Sequence, residues 1–584
     1  MQTKGKITGI VSNLVTIKAE GAVVQNEICY ILHKNLRLLS EVIRVNGDIA
    51  YAQVFESTRG IKAGTGVEFS GKMLEVQLGP GMLAKVYDGL QNDLYAMTDL
   101  FIVKGMHAPA LSNVQKWTFH PLIKTGDTVS GGTWLGEVKE GWILHKIMVP
   151  FYLEENMKVV SIAREGEYTI HDTIATLSDS FGNEIPITLV FSWPVKKAVK
   201  AYKEKIRPYK ILETGIRVID IFNPMVEGGT GFIPGPFGCG KTVLQHAISK
   251  NADADLIIIV ACGERANEVV EIFTDFPELD DPRTGRKLME RTIIICNTSN
   301  MPVAAREASV YTGMTIAEYY RAMGLKVLIL ADSTSRWAQA LREMSNRLEE
   351  LPGPDAYPMD LSAIVANFYA RAGFTWLTNN KSGSVTFFGT VSPAGGNFKE
   401  PVTESTKKVA RAFYALSQNR ADSKRYPAID PLESYSKYFE YDEVKHNLNS
   451  TFDVLWTEKI KTLMQILIHG KDIKEQIGIL GDDGVPVDYH ETFWKSEVID
   501  FILLQQDSFD KTDAVTPLKR QKYMVDLILS ICEIKFHFRR FEEAGSYFKR
   551  IINTLKQMNY SVYLEPEFHT HETHLRKLID GREN

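Results

Sequence analysis

The octapeptide GPFGCGKT, residues 235–242, constrains this chain more than any other stretch. Its G-x-x-x-x-G-K-T spacing calls for a strand that ends in a glycine-rich turn and opens directly into a helix, here beginning KTVLQHAISK. Backbone N–H groups and the helix N-terminus then surround a phosphate, Lys241 reaches the β/γ-phosphates, and the Thr242 hydroxyl ligates magnesium. The four fixed positions arise by chance only about 0.02 times in a chain of this length. Holding a nucleotide is still not hydrolysing one, so the rest of the chain must supply the chemistry.

The flanking residues supply the sheet that such a loop needs. Between 230 and 395, short runs dense in Ile, Val and Leu alternate with helical stretches, the pattern of a parallel sheet buried on both faces. LIIIVAC (256–262), TIIICNT (292–298), VLILA (327–331) and SVTFFGTV (384–391) are the expected strands. From Pro302 to Met323, Ala304, Ala308, Tyr311 and Thr315 recur at helical spacing, with proline at the start and Gly324 beyond the end. That is the helix of a βαβ unit.

Other segments read differently. Residues 1–70 alternate with period two between Gly and Asn-Gly turns, as in a small N-terminal β-barrel. Residues 71–109 lead towards the nucleotide-binding domain, and 110–190 form a second, inserted β-rich module. The α/β nucleotide-binding domain then takes 191–435. Within it, LEELPGPDAYPMDL (348–361) carries three prolines in seven residues and must be an irregular loop. From 436 to 584 amphipathic periodicity replaces alternation, as in LKRQKYMVDLILSICEIKFHFRRF, giving a C-terminal all-α domain. A chain of 584 residues fits this multidomain plan.

Composition narrows the function. A hydrophobic fraction of 44% and a charged fraction of 24% exclude disorder, and a net charge of -5 gives no global reason to bind nucleic acid. Five cysteines without a C-x-x-C spacing read as reduced and cytoplasmic, with no zinc site. The N-terminus lacks the apolar core of a signal peptide, and the longest apolar run is LIIIVAC. Any membrane connection is therefore expected to go through a partner.

Two carboxylates complete the candidate chemistry. Asp332 follows VLILA directly, at the carboxyl end of a buried strand, where open α/β sheets bind ligands. Alone, an apolar run followed by Asp usually marks a cap or turn; 90 residues after a phosphate loop it reads as the magnesium carboxylate. Glu264, in VACGER, follows the next strand after the loop's helix and suits a general base for the attacking water. Arg265 is placed to meet developing phosphoryl charge. Cys239 has two readings: a thiol activated by the helix N-terminus and Lys241, with a lowered pKa, or a small side chain that the loop simply needs.

Together GPFGCGKT, CGERANE, NTSNMPVAAREASVYTGMTIAEYYR and ADSTSRWAQALREMS resemble the catalytic A subunits (alpha chains) of V-type/A-type rotary ATPases, over essentially the whole chain. The resemblance implies an N-terminal β-barrel, an inserted bulge module, a RecA-like nucleotide domain and a helical C-terminal domain. It assigns ATP or ADP to the loop formed by Gly235, Pro236, Phe237, Gly238, Cys239, Gly240, Lys241 and Thr242. It gives magnesium to Thr242 and Asp332, partly through water, the water to Glu264 and the γ-phosphate to Arg265. Tyr426, in RYPAIDPLESYS, is implied to stack on adenine, and Phe509, in LLQQDSFD, either forms a second wall or packs between helices.

The implied partners are a noncatalytic B-type subunit, alternating with this one in an A3B3 ring and lending an arginine finger, and a central rotor shaft faced by the Pro352–Pro358 loop. Peripheral stalk subunits and a membrane ion-translocating sector complete the set. The implied location is cytoplasmic, peripheral at a membrane, with ATP turnover coupled to proton or sodium movement. Two other readings compete. A homohexameric export or nucleic-acid-translocating ATPase would lack the β module ahead of the loop, and an RNA motor would show an aromatic-basic platform. A noncatalytic relative would lack Lys241 or Glu264.

Overall fold

The computed structural model describes residues 3–96, 107–265, 268, 274, 276–299 and 301–583. The chain forms two compact units, one of Met1–Arg207, Ala254–Gly389 and Glu404–Val409, the other of Pro208–Asp253, Thr390–Thr403 and Ala410–Asn584. The expected nucleotide-binding segment, 191–435, contributes to both.

The first unit begins with a closed six-stranded barrel: Lys4–Val11, Leu14–Ala19, Glu27–His33, Leu36–Asn46, Ile49–Val54 and Gly66–Met73. Period-two alternation sends Ile7, Val15, Ile17, Ile31, Val67 and Phe69 into one core. Two four-stranded sheets follow. One runs in the order Ile143–Met148, Trp134–Glu140, Trp117–Pro121, Gly166–Tyr168; the other Thr128–Val129, Met157–Ile162, Ala175–Ser178, Glu184–Ile187.

The parallel sheet of this unit runs in the order Val86–Tyr87, Thr292–Thr298, Leu256–Glu264, Lys326–Asp332, Ser382–Val391. All four sequence-expected runs are strands, and the 256–262 run continues to Glu264. Residues 256–263 are buried throughout, because helices cover both faces of a parallel sheet. The expected helix spans Val303–Arg321, and every residue in it except Tyr311 is buried. Gly313 lets it lie close on the sheet: a Cβ there would stand 2.6 Å from the Val260 side chain.

A helix so deeply buried must satisfy its polar side chains internally. Thr312 donates to the Gly89 carbonyl at 2.7 Å and Thr315 to the Val195 carbonyl at 3.0 Å. Glu318 accepts from the Val199 N–H at 3.1 Å and from Arg371 at 2.5 Å, while Arg321 donates to the Val199 carbonyl at 3.1 Å. Tyr319 meets His145 at 2.8 Å, whose other ring nitrogen is 2.5 Å from Glu140. The chain leaving the β module and the module's own strand pair are thus fastened to one helix.

In the second unit, strand Thr230–Pro234 pairs in parallel with Ala412–Phe413, which pairs with Tyr435–Ser436. Helix Lys241–Asn251 follows the glycine-rich turn. Beyond Ser436 the described residues contain no strand. Helices Asp442–Thr451, Trp456–Leu480, Val487–Ile499, Leu518–Glu533, Phe541–Tyr560 and Pro566–Glu583 enclose a core that includes Val498, Ile502, Met524, Ile528, Phe548 and Leu555. Among the described residues no helix is long and apolar enough to cross a membrane. The 348–361 segment contains only one short helical turn, Pro354–Ala356, with Leu351 and Met359 exposed.

Glu318→Ala strands the buried guanidinium of Arg371 and the Val199 N–H. It should lower stability by about 3–5 kcal/mol, read as a shifted midpoint in equilibrium denaturation of the full chain.

Candidate active site

The glycine-rich turn is built by backbone geometry. Gly238 and Gly240 have φ of +85° and +83°, left-handed values that side chains rarely adopt, and Gly240 precedes the first helical residue, Lys241. Gly235 is required by space, since a Cβ would lie 2.6 Å from the Leu416 side chain. Its own N–H donates to the Val391 carbonyl at 3.1 Å, anchoring the start of the turn. Lys241 Nζ folds over the loop and donates to the Gly235 and Pro236 carbonyls, each at 2.8 Å. Thr242 is exposed in the first helical turn.

Beside the turn lies a cavity of about 500 Å³, contained wholly within the second unit. Gly238–Gly240, Val243, Tyr426, Gln505, Phe509 and Tyr560 are among its lining residues. The Tyr426 ring reaches the turn itself, 3.8 Å from where a Gly240 Cβ would stand. Tyr426 is 44% exposed and Phe509 88%, so each offers a ring face rather than filling a core. Phe237 is also exposed, and it is absent from this lining.

Glu264 and Asp332 belong to the first unit and end adjacent parallel strands, with Ala261 opposite Asp332 in register. A register shift between Cys262 and Glu264, at Gly263 with φ of +72°, turns the strand end. Side chains of Arg336 and Arg306 stand 3.2 and 3.3 Å from a would-be Cβ, a tight fit that adds to the left-handed φ in favouring glycine there. The Glu264 carboxyl is pushed up to about 10. Burial is the largest cause, followed by the hydrogen bond with Glu268 and the charges of Asp332 and Glu268, with Arg336 opposing them. Glu268 moves the other way, held down chiefly by that same hydrogen bond. The two carboxyls titrate as one pair, with protonation favoured on the more enclosed Glu264 side.

Three family profiles match the chain. The ATP synthase alpha/beta family beta-barrel domain covers 7–71, the ATP synthase alpha/beta subunit barrel-sandwich domain 108–196, and the ATP synthase alpha/beta family nucleotide-binding domain 215–436. The V-type ATP synthase alpha chain of Treponema denticola is 50% identical over 99% of this chain and 96% of its own length. That of Borrelia recurrentis is 47% identical over 100% and 99%. The chain belongs to the V-type ATP synthase alpha chain family. The assembled ATPase EscN of the enteropathogenic E. coli type III secretion system has a similar fold. It shows a TM-score of 0.62 and 18% identity over 90% of this chain and 100% of that one.

For a V-type alpha chain, the structure gathers Gly238, Cys239, Gly240, Tyr426 and Phe509 around one cavity, and Glu264 and Asp332 at neighbouring strand ends. Arg265 is exposed, and its N–H donates to Glu268 at 3.4 Å. Sequence reasoning missed Glu268 and Arg336 beside Glu264, although both lie in quoted motifs. It also missed Arg425, Gln505 and Tyr560, for which no local spacing signals a role.

The activated-thiol reading of Cys239 is overturned. The residue is 1% exposed, and burial raises its pKa against a smaller lowering by Lys241. Its Sγ donates to Gln418 Oε1 at 3.3 Å, and Gln418 donates in turn to Asp422 at 2.8 Å. A small side chain that packs is what the loop needs. All five cysteines are free thiols.

Two outcomes follow from these groups. Iodoacetamide at pH 8 should label Cys239 in the native chain far more slowly than in the denatured chain, as peptide mass spectrometry would read. Because the folded Glu264 binds its proton more tightly than the unfolded one, its burden on stability is absent below the unfolded pKa and grows as pH rises above it. Glu264→Gln should therefore stabilise the chain at pH 8 and not at pH 4, measured as the difference in denaturation midpoint from wild type.

Proposed function

We infer that this chain is the catalytic, ATP-hydrolysing and ATP-synthesising subunit of a membrane-attached V-type rotary ATPase, coupling ATP turnover to ion transport. The observation that carries the reading is the turn Gly235–Gly240, with its two left-handed glycines, opening into helix Lys241–Asn251 beside an aromatic-walled cavity. The N–H groups of such a turn converge on an anion, and the helix dipole adds to them. The full-length V-type relatives support the coupling to ions. The export-ATPase alternative rests on a likeness of 18% identity, which shows the fold alone.

In this reading Lys241 neutralises the β/γ-phosphates, and Tyr426 and Phe509 take the adenine on its faces. Glu264 passes its proton to the hydrogen-bonded Glu268 carboxylate and then takes one from the attacking water, and Arg265 meets charge on the γ-phosphoryl group. The Thr242 hydroxyl and the Asp332 carboxylate are hard oxygen donors that suit magnesium. The described residues contain no cluster of three His, Cys, Asp or Glu that could hold a metal, which fits an ion bound mainly through substrate phosphates and water. When bound, magnesium screens phosphate charge; the residues named do the holding and the proton transfer.

A noncatalytic B-type neighbour lending an arginine finger, a central rotor shaft against the 352–358 loop, stalk subunits and a membrane sector complete the proposed assembly. Its place is the cytoplasmic face of a membrane, reached through those subunits. Proton or sodium is selected in the membrane sector.

Glu264→Gln in the assembled complex should keep ATP binding while hydrolysis falls by at least about 100-fold, measured by equilibrium binding and steady-state turnover. Substantial remaining hydrolysis would remove Glu264 from the role of base.

A further inference from the structure

Immediately before Tyr426, the Arg425 guanidinium reaches across to the helix that runs into the cavity's far wall. It donates to Glu497 Oε1 at 3.2 Å and Oε2 at 2.8 Å, and lies 3.2 Å from Asp500 Oδ2. Its central carbon stands 4.9 Å from the centroid of the Phe501 ring, a ring that lines the cavity. Glu497, Asp500 and Phe501 are spaced i, i+3 and i+4, so successive turns of one helical face present all three to a single guanidinium.

The Asp500 carboxylate ties down two further segments. Asp500 accepts from Arg420 at 2.6 and 3.2 Å and from the Gln505 side chain at 2.9 Å. The Gln506 N–H then donates to the Tyr426 carbonyl at 2.9 Å. Arg420, Arg425, Glu497 and Asp500 form a charge-balanced group whose side chains are only 11–18% exposed. Bidentate arginine pairs hold direction as well as charge, which a lysine at the same place would not. Lys556 adds a further cation, 4.2 Å from the Phe501 centroid.

We propose that Arg425 is a positioning residue for the nucleotide base: it latches the Tyr426 segment to the Glu497–Phe501 face. The latch holds Tyr426 and the Gln505–Phe509 loop in fixed relation across the cavity that a planar base would enter. Arg425 touches no phosphate-binding group, so its influence is confined to the base end. This rests on the reading of the cavity as the base site.

Binding to the full-length chain by titration calorimetry separates the two ends, with MgATP as one probe and inorganic tripolyphosphate, which has no base, as the other. Arg425→Gln and Glu497→Gln should each weaken MgATP by about tenfold, the scale of one lost base–aromatic stack, and leave tripolyphosphate unchanged. The double variant should be no worse than Arg425→Gln alone, since the Arg425–Glu497 pair is already lost there. Arg425→Lys keeps the buried charge paired and should recover only part of the affinity, and it carries the comparison where Arg425→Gln does not fold. Equal losses for both probes would reduce Arg425 to a general structural tie and overturn the proposal. Unchanged MgATP affinity would also overturn it where Tyr426→Ala weakens that affinity. Tyr426→Ala without effect would instead remove the base-site reading beneath it.

Discussion

Helix Val303–Arg321 is the element on which the first unit depends. A helix buried on all sides has no water for its threonines, glutamates and arginines, so each must find a partner in whatever packs against it. Here those partners are the carbonyls and N–H groups of Val195 and Val199 and the side chains of His145 and Arg371. Burial therefore dictates more than packing. It fixes where the chain leaving the β module must run, because only that path brings the Val195 and Val199 backbone to Thr315, Glu318 and Arg321.

The second unit solves a related problem with arginine. Arg217 is fully buried and donates to Asp513 at 2.5 Å and Thr516 at 2.9 Å, while Arg520 donates to the carbonyls of Met558 and Asn559 at 2.7 and 2.8 Å. The latter closes the C-terminal end of helix Phe541–Tyr560, whose last carbonyls have no helical partner. A planar group with five donors can bind two chain segments at once, where a lysine offers only a point charge. Loops that share no sheet, such as 505–516, are held in place in this way.

Much of the plan was legible because it rests on short-range rules. Period-two alternation marked the barrel strands, continuous apolar runs marked the buried parallel strands, and a glycine-rich spacing marked the turn. Glu264 and Asp332 were legible because they directly follow apolar runs, so a strand end was their only plausible place. Arg425 was not legible: its partner Glu497 lies 72 residues away, and nothing in KRYPAID announces a bidentate pair. Glu268 sat inside CGERANE yet carried no signal, since its effect on Glu264 depends on a side-chain contact that no spacing announces. The two readings of the Cys239 thiol could not be told apart in the sequence for the same reason. Proximity to Lys241 was visible in the sequence, whereas the closure around the sulfur was not.

Two enclosed carboxylates, Glu318 and Glu264, differ in the company they keep. Glu318 is among the most buried acids, and it is paired with two arginines, Arg321 and Arg371. Glu264 is less enclosed, yet the groups nearest it in effect are two other carboxylates, with Arg336 a lesser counterweight. Folding would favour replacing such a carboxylate by a neutral group, because its charge gains little from its surroundings. At the same strand end Gly263 takes a left-handed φ beside the Arg336 and Arg306 side chains, a turn open to glycine that sets the direction in which Glu264 leaves the sheet.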